Sequence, residues 1–359
     1  MNEPKISVIT PMYNCEQYIL DCVRSVLNQT FEGCEHIIVD DCSTDRSVEV
    51  VEKIIAVLDA NGGSIVKLLR HVKNTGQEEA INDGLAIARG KYIRVLHADD
   101  VFMPDALESL YDIAERTGAD VVHENARLIS TADGGATITP GCHLEINVHD
   151  RRPIDSLTVM SDDLNDRVTD WLERGTYVDI MYNLFRREFF FDSDIRVKGS
   201  NFIFTFMWLM KAKHIVTVPQ ATYIYRINPE SITNKKRSPK KIAGTIGAMI
   251  KSIKLMDDFM STLDFFADKK YLRELIKMQT LSIIDSHSIH RHGYYREALT
   301  EEVYDEVERA MQKYFGEAGK FFAAYYFHIA HEAHFGRLLE NEKLFREHTS
   351  AKYLMYPTF

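Results

Sequence analysis

The chain has 359 residues and a formal net charge of −10, from 43 Lys and Arg against 53 Asp and Glu. Apolar residues make up 45% and charged residues 27%, which is ordinary for a globular protein with a core of normal size. The length suits one large domain with additions, or two domains. The acidic balance argues against general nucleic-acid binding, because that needs Lys and Arg to neutralise phosphates.

The cysteines and the apolar runs of the sequence indicate the cellular compartment of the protein. No two cysteines have CxxC spacing, and their number is odd: Cys15, Cys22, Cys34, Cys42 and Cys142. We expect no signal peptide and no transmembrane segment, since no apolar run reaches the roughly 18 to 20 residues of a membrane span. We therefore predict reduced thiols in a cytoplasmic protein. The basic run 235–241 allows peripheral contact with the inner face of a membrane, or is simply solvated.

Strand and helix patterns alternate over the first 125 residues. Runs rich in β-branched residues predict strands at 5–10, 35–40, 64–70, 91–96 and 120–126. Helical patterns lie between them: over 15–26, from about Thr44, over Gly76–Arg89, and from Pro104, which is expected in a first helical turn. Such alternation predicts a mostly parallel sheet that is covered on both faces by helices.

The pattern changes after residue 126. Residues 127–175 are predicted to form loops and one helix near Ser161–Arg174. The next segment is mixed, with a strand near Tyr177, a helix near Phe202–Ala212, and strands at His214–Val218 and Thr222–Arg226. From about Pro239 to the end the pattern is helical.

Polar side chains follow three of the predicted strands. They lie after Thr10, at Asp40-Asp41, and in the segment that begins at His97. Ligands in parallel sheets bind outside the carboxyl ends of the strands. The three segments therefore predict a binding site at one edge of the sheet.

Two adjacent carboxylates, Asp99 and Asp100, end the fourth predicted strand in the sequence LHADD. Like charges so close repel unless a cation or hydrogen-bond donors neutralise them. Mg²⁺ and Mn²⁺ use one or two carboxylates and take their other ligands from phosphates and water. The pair predicts a divalent-metal site, with a solvated acidic loop as the alternative.

The other polar segments suit a nucleotide. Asp41 could accept a hydrogen bond from a base or ribose, or simply form a turn and helix cap. Pro11 fixes the backbone before Tyr13, whose ring could stack on a base or pack in the loop. A helix start near Gly76 suits an anion, although any helix start needs such residues.

These segments together resemble the nucleotide-sugar domain of the family 2 glycosyltransferases, which are inverting enzymes. The matching residues are 6–14, 26–31, 37–47, 74–93 and 97–107. The resemblance implies an α/β GT-A fold, Rossmann-like, with a mostly parallel sheet and helices on both faces. It implies a GT-A domain over 1–235, with nucleotide-sugar binding in 1–125 and the acceptor side in 126–235, and leaves an all-helical C-terminal region at 236–359.

The resemblance also assigns roles to residues. It implies that Thr10, Tyr13 and Asp41 hold the base or ribose of the donor. The rest of the predicted nucleotide-sugar site comprises Pro11, Asn14, Asn74, Gly76, Asn82, His97 and Asp99. Asp99 and Asp100 correspond to the catalytic metal and diphosphate motif, with Mn²⁺ or Mg²⁺ as cofactor. A UDP-sugar is the leading donor, with dTDP- and GDP-sugars as alternatives.

Two positions depart from the family pattern. Many members carry an Asp where this chain has His97, which could ligate the metal, contact the phosphates or fill the strand end; we favour a role other than ligand. Ser200-Asn201 stands where the family often has an acid that acts as the catalytic base. Candidates to replace that base are Asp192, which we favour, and Asp194, Asp179 and Glu188.

Further hypotheses concern the remaining residues. Arg226 could present a cation to the departing diphosphate, or lie at the surface. The acceptor stays open between a glycan, a lipid-linked glycan, a protein and a small molecule, and bacterial surface-glycan synthesis is the family's usual setting. The helical tail could form a homodimer. A zinc site at His328, His331 and His334 is disfavoured because HEAH is not HExxH.

Two other functions compete with this hypothesis. A catalytically inactive nucleotide-sugar-binding homologue would fit the two departures from the family pattern. A sugar nucleotidyltransferase ranks last, because it needs a glycine-rich, basic loop after the first strand. Thr10–Glu16 contains no Gly, Lys or Arg.

Overall fold

The structure is a computed structural model that describes residues 3–130, 136–140, 157–174, 179–192, 195–199, 201–226, 239–285, 301–316, 319–320 and 322–323. The chain divides into two compact units. The first comprises Met1–Glu145, His149–Asp162 and Tyr177–Pro229, and the second comprises Ile146–Val148, Asp163–Thr176 and Glu230–Phe359. The predicted division at residue 235 stays a prediction, and the helix near residue 170 groups with the second unit.

The described strands all belong to the first unit. In chain order they are β1 (Ile6–Met12), β2 (Cys34–Asp40), β3 (Val66–Arg70), β4 (Tyr92–Val95), β5 (Val101–Phe102), β6 (Val121–Glu124), β7 (Ala126–Ser130), β8 (Ala136–Pro140), β9 (Thr158–Val159), β10 (Asn183–Arg186), β11 (Ile215–Val218) and β12 (Tyr223–Arg226).

The helices are divided between the units. Those of the first unit are α1 (Ile19–Leu27), α2 (Ser47–Ala60), α3 (Gln77–Ile87), α4 (Ala106–Thr117), α6 (Arg187–Asp192) and α7 (Asn201–Lys211). Those of the second are α5 (Leu164–Arg174), α8 (Pro239–Ser261), α9 (Lys270–Asp285) and α10 (Glu301–Phe315). Short 3-10 helices cover Ile180–Tyr182 and Asp264–Phe266.

An eight-stranded sheet in the order β3-β2-β1-β4-β10-β6-β11-β9 forms the centre of the first unit. Its first four strands are parallel, and β11 is parallel to β6. Strand β10 lies antiparallel between β4 and β6, and β9 lies antiparallel at one edge. The prediction of a mostly parallel α/β sheet is confirmed. Strand β10 was not predicted, and the strand predicted near Tyr177 lies outside the described residues.

The sheet is covered on both faces, as predicted. Consecutive residues of β1, β4, β6 and β11 are buried, which is the pattern of a strand with helices on each side. Helix α3 packs close to β1 because Gly84 has no side chain. A Cβ atom there would lie 2.5 Å from Cγ2 of Ile9. Helix α1 buries Ile19, Cys22, Val23 and Val26, the residues that recur at helical spacing.

A second sheet corrects the prediction for residues 127–175. It has four strands in the order β5-β12-β7-β8, with β12 parallel to β7 and antiparallel to β5. The sequence analysis predicted loops where β7, β8 and β9 lie. Strand β8 pairs with its neighbour β7, whereas β7 and β9 also pair with the distant strands β12 and β11. All three strands are short, and the sequence between them shows no clear strand pattern. Pro104 also lies before α4, which begins at Ala106, and not in its first turn.

The second unit is helical in its described residues, as predicted for the tail. Helix α8 packs against α9 and α10, and α5 contacts α9. Among the helices that the structure describes, none combines the length and the apolar character needed to cross a bilayer. The tail histidines that raised the zinc hypothesis, and residues 235–238 of the basic run, lie outside the described residues.

Candidate active site

The loops that follow β1 and β2 are bonded to each other at the carboxyl edge of the sheet. The Asn14 backbone amide donates to Ser43 Oγ at 3.0 Å, and Asn14 Oδ1 accepts the Thr44 amide at 2.8 Å. The Cys15 amide donates to Ser47 Oγ at 2.8 Å. Asn14 adopts a φ of 52°, a conformation that Asn tolerates better than most residues. The predicted ligand residue Asn14 therefore uses its side chain to fix the neighbouring loop.

Asp41 anchors the loop between β3 and α3. Its carboxylate accepts the amides of Thr75 at 2.7 Å and Gly76 at 2.8 Å, and lies 2.8 Å from His71 Nδ1. The Asn74 side chain donates to the Asp41 carbonyl at 3.1 Å. Burial would raise the pKa of Asp41, but the hydrogen bonds from Thr75, His71 and Gly76 outweigh it and lower that pKa below its usual value. The lowered pKa favours the ionised form of Asp41, which anchors the loop that carries Asn74 and Gly76.

The other nucleotide-side residues have different surroundings. Thr10 is fully buried, and its Oγ1 lies 2.8 Å from His36 Nε2. Asn82 exchanges hydrogen bonds of 2.8 and 3.0 Å with the backbone of Val197. Tyr13 is 49% exposed directly after β1. The half-buried Pro11 lies within that strand. Of these residues, Tyr13 is the exposed aromatic residue, as base stacking would require.

An acidic group forms where β4 ends. Ligand atoms of His97, Asp99 and Asp100 all lie within 4.8 Å of one another. Asp100 is 1% exposed; its Oδ2 accepts the Tyr223 hydroxyl at 2.5 Å and its Oδ1 accepts the Arg226 amide at 2.7 Å. Burial, and then the charge of Asp99, raise the pKa of Asp100 to about 8, against the opposing effect of those two hydrogen bonds.

This donor set fits a divalent cation. Within the described residues Asp99 makes no hydrogen bond, so its oxygens are available as ligands. A cation would offset both the repulsion between the carboxylates and the burial of Asp100. Carboxylate oxygens are the ligands that Mg²⁺ and Mn²⁺ prefer. His97 Nε2 lies 3.2 Å from Gln77 Nε2, an arrangement in which the amide of Gln77 donates and the His97 nitrogen is already engaged.

Arg226 lies next to this acidic group. Its backbone amide bonds Asp100, while its guanidinium lies 3.4 Å from Asp21 Oδ2 and 5.3 Å from the centre of the Tyr18 ring. Asp21 and Tyr18 belong to the start of α1. The cation of Arg226 is therefore kept at the carboxyl edge of the sheet, as a role toward a diphosphate would require.

Comparisons with known proteins agree with this geometry. The model of the protein family described as "Glycosyl transferase family 2" matches residues 7–141. Glycosyltransferase GlyG of Streptococcus pneumoniae is 26% identical over 287 residues, 72% of this chain and 89% of that protein. The uncharacterized glycosyltransferase EpsJ of Bacillus subtilis is 30% identical over 242 residues, 66% of this chain and 65% of that protein. Residues 7–141 form a family 2 glycosyltransferase domain.

A solved structure shares the fold of the glycosyltransferase. Residues 1–349 of S. aureus TarS, crystallised in complex with UDP-GlcNAc, superpose with a TM-score of 0.59. The two sequences are 18% identical, and the match covers 98% of this chain and 93% of that one. The likeness confirms the predicted GT-A fold. The match spans most of the TarS 1–349 fragment and of GlyG, but 55% of the longer TarS chain and slightly less than two thirds of EpsJ.

The structure of the glycosyltransferase adds residues that the sequence analysis missed. Tyr223, which donates to Asp100, and His71, which contacts Asp41, carried no motif. Tyr223 was visible only as part of a predicted strand, and its partner is 123 positions away in the sequence. His71 follows β3, so its place at the carboxyl edge could have been found from the strand-end rule.

The catalytic base of the glycosyltransferase stays a prediction. Asp192 ends α6, but its side chain lies outside the described residues, as do Asp194 and Ser200. Glu188 is exposed on α6, and Asp179 precedes the 3-10 helix at Ile180–Tyr182. None of the described contacts joins these carboxylates to Asp99 or Asp100.

Proposed function

We propose that this glycosyltransferase transfers a sugar from a UDP-sugar to an acceptor hydroxyl with inversion at the anomeric carbon, using Mn²⁺ or Mg²⁺ at Asp99 and Asp100. The observation that carries the proposal is the buried Asp100 carboxylate beside Asp99. The pKa of Asp100 is raised to about 8 when no cation is present. A positive charge between the two carboxylates would stabilise their ionised forms, as in a metal site. The UDP-GlcNAc bound by TarS supports UDP as the nucleotide.

The chemistry supplied by a bound Mn²⁺ or Mg²⁺ would be Lewis-acid neutralisation of charge on the leaving diphosphate. Tyr223 and the Arg226 amide would keep Asp100 oriented as a ligand. The guanidinium of Arg226 would provide a second positive charge near the diphosphate. Tyr13 would stack on the uracil, and Asp41 would fix the loop that carries Asn74 and Gly76 beside it.

The proposed reaction is a single displacement. The acceptor oxygen attacks the anomeric carbon, the bond from that carbon to the β-phosphate oxygen breaks, and UDP leaves with the bonding electrons. The proton of the acceptor hydroxyl passes to a carboxylate that acts as general base. We assign this role to Asp192, in the region that the resemblance places on the acceptor side.

For the acceptor, we propose a glycan, either free or lipid-linked, in the synthesis of a bacterial surface polysaccharide. A protein acceptor is the alternative. The site is expected to work in the cytoplasm, where nucleotide-sugars are made, with contact at the inner face of the membrane when the acceptor is lipid-linked. This proposal is supported by the resemblance to the family 2 glycosyltransferases, which usually act in bacterial surface-glycan synthesis.

The test combines ligand binding with UDP release. Because a ligand that binds the native state raises the melting temperature, UDP with Mn²⁺ should raise it more than UDP alone. Asp100→Asn should abolish the metal-dependent part, while the exposed Asp112→Asn on α4 should keep it. UDP release from a panel of UDP-sugars then identifies the sugar. No metal-dependent shift in the wild-type protein, or no release from any UDP-sugar, would contradict the proposal.

A further inference from the structure

A buried ion pair joins β6 to β4, the strand that precedes the proposed metal site. Arg94 of β4 and Glu124 at the end of β6 are both fully buried, and Arg94 Nη2 donates to Glu124 Oε2. The other carboxylate oxygen, Glu124 Oε1, accepts the Thr222 backbone amide at 2.8 Å and the Thr222 hydroxyl at 2.6 Å. Arg94 Nη2 also lies 3.3 Å from that hydroxyl oxygen. The three residues form one polar cluster between the two sheets, named here the Thr222 cluster.

The Thr222 cluster fixes the start of β12. Thr222 directly precedes this strand, and its carbonyl accepts the Met103 amide at 2.8 Å. In the next position the Tyr223 hydroxyl bonds Asp100, and at the other end of the strand the Arg226 amide bonds the same carboxylate. Among the described residues, the two donors to the Asp100 carboxylate therefore both belong to one short strand, and Glu124 holds the residue that precedes this strand.

Stability alone does not account for this cluster. Taking a charged pair out of water is costly, and apolar residues of similar volume are often at least as stable. Two nitrogens of Arg94, Nε and Nη1, have no hydrogen-bond partner among the described residues. In several proteins, buried polar groups of this kind fix one arrangement of the chain instead of adding stability. Here the arrangement that they fix is the position of β12 against the end of β4.

We propose that Arg94, Glu124 and Thr222 are positioning residues that set the place of β12, so that Tyr223 and Arg226 hold Asp100 in the geometry that binds the divalent cation. This inference rests on the proposed function of Asp100 as a metal ligand. Groups that orient a ligand through hydrogen bonds commonly change metal affinity by about 10- to 100-fold when they are removed. The Thr222 cluster does not bond Asp100 itself but acts through Tyr223 and Arg226. We therefore expect its loss to weaken metal binding by about tenfold, the lower end of that range.

Thr222→Val is the sharpest variant. It keeps the shape of the side chain and removes the hydroxyl, whereas changing Arg94 or Glu124 would leave an uncompensated buried charge and disturb folding. Thr222→Ser restores the hydroxyl. Thr217→Val is a matched control, because Thr217 is a buried threonine of β11 whose side chain makes no hydrogen bond within the described residues.

The experiment measures Mn²⁺ binding in the presence of UDP by electron paramagnetic resonance, together with the melting temperature without ligands. Thr222→Val should weaken Mn²⁺ binding by about tenfold, Thr222→Ser should stay within about threefold of wild type, and Thr217→Val should not change it. If Thr222→Val only lowers the melting temperature and binds Mn²⁺ like Thr217→Val, the inference is wrong while the proposed function stands. If the wild-type protein binds no Mn²⁺, both are wrong.

Discussion

The Tyr223 hydroxyl lies 2.5 Å from Oδ2 of Asp100, and it also lies 3.2 Å from the backbone nitrogen of His97. One phenol thus accepts a hydrogen bond from the first residue of the acidic segment and donates one to its last carboxylate. The ring is fully buried and packs edge-on against Phe102 and Tyr182. The segment from His97 to Asp100 is therefore held from the side of β12, not by its own strand.

Tyr223→Phe should reduce metal-dependent transfer. The variant keeps the packing but removes the hydrogen bond to a buried carboxylate, a loss that costs about 1 to 3 kcal/mol when the remaining group stays unsatisfied. We expect the Mn²⁺ concentration that gives half-maximal UDP release to rise by about tenfold. The measurement is UDP release against Mn²⁺ concentration.

Tyr92→Phe is the control for that variant. Tyr92 is also buried, and its hydroxyl donates to a carboxylate, Glu115, at 2.7 Å, away from the acidic segment. It should lose stability without a change in Mn²⁺ dependence. Equal Mn²⁺ dependence in the two variants would remove Tyr223 from the support of Asp100.

The strand-end segments could be predicted because their information is local. The buried runs that end at Asp40 and Val95 carry their own strand signal, and the acidic residues follow directly. Tyr223, Glu124 and Arg94 could not be assigned, since their importance depends on β12 pairing with strands about 100 residues away. Asn14 shows the converse limit. Its place shortly after β1 could be predicted from the sequence, but the partner of its side chain, the Thr44 amide, depends on the loop after β2.

His71→Gln should weaken nucleotide binding more than catalysis. His71 lies between Asp41 Oδ1, 2.8 Å from Nδ1, and Asp83 Oδ2, 3.0 Å from Nε2. Losing this contact removes one of the hydrogen-bond partners of the Asp41 carboxylate and is expected to loosen the loop that contains Asn74 and Gly76. We expect a rise of about tenfold in the Kd for UDP, equivalent to about 1.4 kcal/mol, with kcat nearly unchanged.

Isothermal titration calorimetry with UDP checks this expectation. Asp83→Asn serves as the comparison, because Asp83 is half exposed and contacts the outer side of His71, so its loss should have a smaller effect. An unchanged Kd in His71→Gln, with only a lower melting temperature, would reduce His71 to a structural residue.

His36 should make the protein less stable in acid. Burial lowers the pKa of His36 from its ordinary value of 6.5 to about 3. The unfolded chain therefore binds a proton at this position below pH 6.5 that the folded chain does not bind until about pH 3. Over that window the free energy of unfolding falls with decreasing pH by about 1.4 kcal/mol per unit, and above pH 6.5 the contribution is constant.

Denaturant unfolding of wild type and His36→Gln between pH 7 and about pH 5 measures the contribution of His36 to the pH dependence of the free energy of unfolding. Gln stays neutral throughout, so the variant should lose less stability per pH unit by about 1.4 kcal/mol. It is expected to be less stable at pH 7, since the ring and its contact with Thr10 are lost. Parallel pH dependences of the two proteins would show that His36 is not kept neutral in the folded state.

Cys42→Gly should stabilise the turn that follows Asp41. Cys42 adopts a φ of 67°, in the left-handed region that costs a residue with a Cβ atom about 1 kcal/mol or more. Glycine relieves that cost but loses more conformational freedom on folding, so a net gain of about 0.5 kcal/mol in the free energy of unfolding is expected. Cys42→Ala keeps the Cβ atom and should give no such gain. Denaturant unfolding of the two variants under reducing conditions compares them directly, and a Cys42→Gly protein no more stable than Cys42→Ala would show that the backbone strain at this turn is negligible.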